Sequence, residues 1–166
     1  MKLSAGQPKQ ALQLYRRIEH QDPEFLVEAI VPIKECFQSL NQAEEFGDYI
    51  RYLSQQYGGV TPVLALSDLI EKEQGAARAI SFLSQELRKR PSLRGLDRLI
   101  GYALQNADGP AKQHMMMFKD VTNRWVQRKP GYKCRHCGFM AKTLHWQCPS
   151  CKYWNTVKPL QGIDGE

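Results

Sequence analysis

Four cysteines stand near the end of this 166-residue chain as Cys134-x2-Cys137-x10-Cys148-x2-Cys151, within YKCRHCGFMAKTLHWQCPSCKYW (132–154). In each CxxC unit one tight turn brings two sulfurs close enough to share a metal ion, and two such knuckles on facing hairpins make a tetrahedral all-sulfur site. Gly138 follows the first knuckle and permits the left-handed backbone that lets amide N–H groups point at sulfur. Pro149 fixes φ inside the second. Paired CxxC units also serve as redox dithiols or disulfides, but such motifs seldom come in pairs at hairpin spacing, so a metal site is expected. His136 and His145 are possible substitute ligands; His136 lies inside the first knuckle and should point outward, which favours all-cysteine coordination. A closed site of four thiolates suits zinc, and also iron in a one-electron carrier. Nothing points to a redox partner or second cofactor, so zinc is the expected ion and iron the alternative.

A segment of about 39 residues is too small to build an adequate apolar core, and bound metal should supply much of its stability. Around the cysteines, YKC, GFMAKT, HWQC and YWNTVKP are short aromatic and β-branched runs between turns, the pattern of small hairpins. Trp146 and Trp154 are expected to form the core of this ribbon and its contact with the rest of the chain. Stacking on nucleobases is the other use of such side chains.

Residues 1–127 are different. ALQLYRRIEHQDP (11–23) aligns with AISFLSQELRKRP (79–91), matching Ala11 with Ala79, Leu12 with Ile80, Tyr15 with Leu83 and Pro23 with Pro91. The offset of 68 is twice 34, and at 34 Phe46 falls under Leu12 and Tyr49 under Tyr15. A period of 34 is that of the tetratricopeptide repeat, a helix–turn–helix unit that stacks into a superhelix. Apolar spacing and breakers place helices at 8–20, 24–40, 42–57, 62–73, 75–89, 92–105 and 110–127. Pro32 should kink the second helix or shift its start, and Thr61-Pro62 reads as N-cap and first residue of the fourth. The first helix is the second half of a repeat without its partner, so the chain is expected to be the C-terminal part of something longer. The architecture is therefore mainly α: tetratricopeptide-type helices over 1–127, then a rubredoxin-like metal-binding ribbon with four cysteine ligands over 128–166.

The net charge is +6, unevenly distributed. Residues 128–166 hold seven Lys or Arg against Asp164 and Glu166, so they contribute 7 − 2 = +5. Four thiolates and a divalent ion would reduce that to about +3, a weakly basic surface and not a strong phosphate-binding field. No apolar run approaches the ~20 residues of a membrane span and no signal peptide opens the chain. Cys36 is expected to be a small core residue. Met115, Met116 and Met117 lie 100° apart on a helix and cannot share one face; packing against the ribbon or the preceding helix is the expectation. RWVQRK (124–129) reads as a solvated helix end whose charge suits the helix dipole. No Ser/His/Asp or Cys/His constellation, Gly-rich phosphate loop or HExxH is present, so a non-enzymatic role is expected.

Tetratricopeptide-type helices running directly into YKCRHCGFMAKTLHWQCPSCKYWNTVKPLQGIDG are a specific combination. Together with LSDLIEKEQG and LSQELRKRPSLRGLDRLIGYAL, it resembles the lipopolysaccharide assembly protein B family of Gram-negative bacteria over essentially the whole chain. The resemblance implies an adaptor held at the cytoplasmic side of the inner membrane by an N-terminal helix this chain lacks. It further implies protein partners, namely the protease FtsH, the deacetylase LpxC and other lipopolysaccharide-assembly proteins, and promotion of LpxC degradation. The family's metal ligands correspond to Cys134, Cys137, Cys148 and Cys151. A nucleic-acid-binding zinc ribbon and a rubredoxin-like electron carrier are the alternatives.

Overall fold

The computed structural model describes residues 7–163 and 165. Its helices are α1 (Pro8–Arg16), α2 (Ile18–Gln21), α3 (Leu26–Ser39), α4 (Ala43–Gln56), α5 (Val60–Gln74), α6 (Ala76–Lys89), α7 (Leu93–Gln105) and α8 (Gly109–Arg128), with a 3-10 turn at Pro23–Phe25. Three short strands follow, β1 (Tyr132–Cys134), β2 (Met140–Ala141) and β3 (Val157–Pro159). The fold is the expected one, a helical array followed by a small β ribbon. The repeat is visible in the helix starts. Leu26, Val60 and Leu93 are 34 and 33 residues apart, and Ala43, Ala76 and Gly109 are 33 and 33 apart.

Two local expectations need correction. The first helix is broken at Arg17 into α1 and α2, and α5 begins at Val60, ahead of Thr61-Pro62. Pro32, by contrast, neither starts nor ends a helix: α3 continues through it. Losing one backbone donor is offset there by burial of Ala29, Ile30, Ile33, Cys36 and Phe37 along the same helix.

The chain divides into two compact units, Met1–Leu66 and Ser67–Glu166. In the first, Ile33, Cys36, Ile50 and Leu53 are fully buried, and the Phe37 and Phe46 rings meet at 5.8 Å. The Cys36 thiol is pushed up by burial and by Glu35, as befits the core residue its spacing predicts. Tyr49 donates to Glu19 Oε2 at 2.9 Å, while the Arg16 guanidinium lies 4.7 Å from the Tyr49 ring centroid.

In the second unit α7 packs between α6 and α8. Gly95 lets α7 approach α6 closely, since a Cβ there would stand 2.4 Å from Leu87 Cδ2. Asp97 ties α7 to α8: Lys119 Nζ donates to Oδ2 at 2.6 Å and Thr122 Oγ1 to Oδ1 at 3.0 Å. The start of α7 is closed from two directions. Ser92 accepts the Gly95 N–H at 3.2 Å, and the Leu93 N–H donates to the carbonyl of Ile163 at 3.0 Å. The segment after the ribbon thus satisfies a backbone donor that a helix N-terminus otherwise leaves to water. No helix among the described residues is long and apolar enough to cross a membrane.

Candidate metal centre

The ribbon is built on β1. It pairs antiparallel with β2 (Tyr132 opposite Ala141) and with β3 (Cys134 opposite Val157), giving the order β2-β1-β3. The strands are two or three residues long because the chain turns at every knuckle. In the first, the Gly138 N–H returns to the Cys134 carbonyl at 2.9 Å, with Gly138 at φ 79°. This is the left-handed residue the sequence predicts. The second knuckle repeats the geometry: the Lys152 N–H donates to the Cys148 carbonyl at 2.9 Å, and Lys152 adopts φ 64°. Nothing in the residue type announces a left-handed lysine. Only its place after Cys151, equivalent to Gly138 after Cys137, could have revealed it. Its ammonium donates to the Pro149 carbonyl at 2.7 Å, across the knuckle.

The two knuckles bring the four sulfurs together. Cys134 Sγ lies 3.8 Å from Cys151 Sγ and Cys137 Sγ 3.7 Å from Cys148 Sγ. All four are within 4.8 Å of one another. A tetrahedron with metal–sulfur bonds of about 2.3 Å has edges of about 3.8 Å, so the donor set and its spacing suit one metal ion. Disulfides, with sulfurs about 2.05 Å apart, do not describe these pairs. Cys134 and Cys148 are fully buried, Cys151 half-buried and Cys137 exposed. Neither His136 nor His145 joins the group. His136 is exposed and stacks on Tyr153 at 4.0 Å, outside the sulfurs, and His145 meets the edge of Phe139 at 6.4 Å.

The electrostatics explain why such a cluster wants a cation. Burial works against ionising Cys134, but its hydrogen bond with the Thr156 hydroxyl and those it accepts from the Cys137 and His136 amides outweigh it and bring the thiol to about 6. The Phe139 amide likewise lowers Cys137. Cys151 goes the other way: the Tyr153 amide favours its thiolate, yet burial and the thiols of Cys137, Cys148 and Cys134 push it up to about 12. Four sulfurs this close cannot all be anionic unaided, and a bound metal cation would supply the missing charge. Thr156, whose Oγ1 lies 3.3 Å from Cys134 Sγ, is a site residue with no signature in the sequence.

This donor set in a three-stranded ribbon prompts comparison with known proteins. Residues 132–159 match the family model described as rubredoxin metal binding domain. Along 164 residues, 98% of the chain, it is 33% identical to lipopolysaccharide assembly protein B of Escherichia coli (strain K12). This chain is a relative of lipopolysaccharide assembly protein B. The protein of that name from Haemophilus influenzae (strain KW20) is 31% identical over 93% of the chain. The alignments span 42% and 39% of those two proteins, so the chain corresponds to about two fifths of lipopolysaccharide assembly protein B. That protein is named for assembly and not for a reaction.

Two expectations about the surroundings are overturned. Trp146 and Trp154 are 58% and 68% exposed, not the ribbon's core. The core is made by Cys134, Cys148 and Val157, flanked by Tyr132, Phe139 and Cys151. Two of three central positions are taken by sulfur, which leaves no room beneath the sheet for an indole. Of the three consecutive methionines, Met115 is half-buried, whereas Met116 and Met117 are 57% and 56% exposed.

Proposed function

We propose that this chain is the partner-binding part of a non-enzymatic adaptor in lipopolysaccharide assembly. Cys134, Cys137, Cys148 and Cys151 hold one zinc ion, and that ion sets the shape of the 128–166 ribbon. The repeats over 1–127 present helical surfaces to other proteins. The adaptor acts at the cytoplasmic face of the inner membrane and promotes degradation of LpxC by FtsH. The observation that carries this reading is the similarity to lipopolysaccharide assembly protein B along 98% of the chain, ribbon and helices together. A groove of about 580 Å3 between α1, α3 and α4 supports it as a docking place. Leu12, Phe37 and Tyr52 give the groove an apolar wall, and Glu45, Asp48 and the mostly buried Glu19 outweigh the one cation lining it, Arg16. The groove suits an extended segment carrying an apolar anchor beside Lys or Arg.

Co-purification of the zinc-loaded chain with LpxC and with FtsH tests the reading. Retention of both, lost on Tyr52→Glu, is the expected result. Retention of neither, by a chain whose metal content and circular dichroism are normal, refutes it. Metal analysis with a visible spectrum of the same sample separates zinc from iron, because an iron site of four thiolates is coloured and reversibly reducible. One observation favours a second reading: Trp146 and Trp154 are exposed beside a basic ribbon. A nucleic-acid ribbon predicts salt-dependent binding to single-stranded RNA or DNA, lost on Trp154→Ala. The low charge left after metal binding weighs against it.

A further inference from the structure

The two knuckles of the ribbon meet at more than their sulfurs. Each supplies two of the four thiols, Cys134 and Cys137 from the first and Cys148 and Cys151 from the second. A bound ion is therefore released only when the knuckles part. At one end they are tied by backbone: the Arg135 N–H donates to the Thr156 carbonyl at 2.7 Å, and Cys134 stands opposite Val157 in the pairing of β1 with β3. Elsewhere the cluster is open to water, since Cys137 is exposed and Cys151 half-buried, whereas Cys134 and Cys148 are wholly covered. Parting is easiest from that open side, with the paired strands as the hinge.

One pair of side chains spans the two knuckles. His136 lies within the first, and its amide donates to Cys134 Sγ. Tyr153 follows the second, and its amide donates to Cys151 Sγ. Those two sulfurs are 3.8 Å apart. The rings of the same two residues stack, with centroids 4.0 Å apart and planes inclined by 20°. Each residue thus holds a sulfur of its own knuckle by the backbone and grips the other knuckle by its ring. We propose that the His136–Tyr153 stack is a clasp that slows release of the bound metal, both side chains acting as positioning residues and neither as a ligand.

The clasp acts on release and not on capture. Without metal the ribbon has too little apolar core to keep its strands in register, so the rings meet only once both knuckles are in place. An aromatic pair of this kind, broken before the knuckles can part, slows release roughly three- to tenfold. Stacking needs two flat rings but neither the tyrosine hydroxyl nor the imidazole nitrogens. Tyr153 is 56% exposed and His136 is exposed as well, so removing either ring leaves no cavity. The proposal rests on the metal-site reading and is independent of the adaptor reading.

The test is a chelator challenge of the whole zinc-loaded chain, followed by stopped-flow absorbance where the rate no longer depends on chelator concentration. His136→Ala and Tyr153→Ala are each expected to speed release roughly three- to tenfold. The double variant should be no faster than the faster single one, within about twofold, because either change alone removes the contact. Uptake of zinc by the emptied chain should be unchanged in all three. His136→Phe and Tyr153→Phe keep a flat ring and should retain slow release, which a ligand role for His136 would forbid. Trp154→Ala, next to Tyr153 but outside the stack, should release like the wild type. Alanine variants that release at the wild-type rate overturn the clasp. So do single effects that multiply in the double variant, or phenylalanine variants as fast as the alanine ones. A wild type that takes up no zinc and no iron refutes the metal site itself, a result distinct from loaded variants with unaltered release.

Discussion

Removing the metal should unfold the ribbon but only loosen the helices beside it, and the size of each effect follows from the structure. Among the described residues of the ribbon, the side chains buried to 1% or less are Cys134, Cys148 and Val157. Two of them, Cys134 and Cys148, belong to the proposed metal site. Without the ion, Val157 is the single wholly buried aliphatic group, worth about 2 kcal/mol, against about 1–2 kcal/mol of conformational entropy for each residue held in place. Cys148→Ser, or chelation of the wild type, should therefore abolish the register between β1 and β3. The consequence for the helices passes through Ile163, whose carbonyl receives the Leu93 N–H at 3.0 Å. When the tail leaves, that N–H sits at an exposed helix start and finds water, so the loss is that of one net hydrogen bond, about 1 kcal/mol. For a helical unit of this size that lowers the thermal midpoint by about 4–8 °C. Amide spectra of 15N-labelled protein read the ribbon, and circular dichroism at 222 nm reads the helices. A ribbon that keeps its dispersed amide signals without metal refutes the account of what holds it. An unchanged helical midpoint refutes the role given to the tail.

Other consequences can be measured one residue at a time. Gly138→Ala forces a side chain into the left-handed region at φ 79°, which should cost about 1 kcal/mol and weaken metal binding roughly fivefold in a competitive chelator titration. Tyr102 is held up at about 12, first by burial and then by its hydrogen bond to Asp68, with Ser67 Oγ 3.1 Å away. A raised folded value means the protonated phenol is favoured. The stability it contributes is complete below the ordinary tyrosine value near 10 and disappears as pH climbs through 12. Tyr102→Phe should cost about 1 kcal/mol at neutral pH in urea unfolding and flatten that alkaline loss. Trp154→Ala should change ribbon stability by less than about 0.5 kcal/mol, since the indole is 68% exposed; a larger loss would return it to the core.

The candidate metal site could be read from the sequence because its geometry is local. Each knuckle spans four residues, so the CxxC spacing alone places two sulfurs together, and Gly138 marks the turn that aims amides at them. The helices were legible for a related reason: caps, breakers and a 33–34 residue period act over one or two turns of chain. Pro32 shows where that local logic stops, since burial of its neighbours keeps α3 continuous across a residue that on its own breaks helices.

What tertiary structure decided is which surfaces meet. An indole in a short hairpin has the same local propensity whether it faces a core or water, and only the occupation of the ribbon's centre by sulfur sends Trp146 and Trp154 outward. The left-handed Lys152 follows from closing the second knuckle, a constraint imposed by the first knuckle across the sulfur cluster. Met115 and Met117 differ by two positions in the chain, yet one faces inward and the other outward. That division is set by Asp97 of α7, which grips Lys119 and Thr122 and thereby fixes how α8 is turned. Spacing told which residues share a face of that helix, but a long-range contact determined which face water would see.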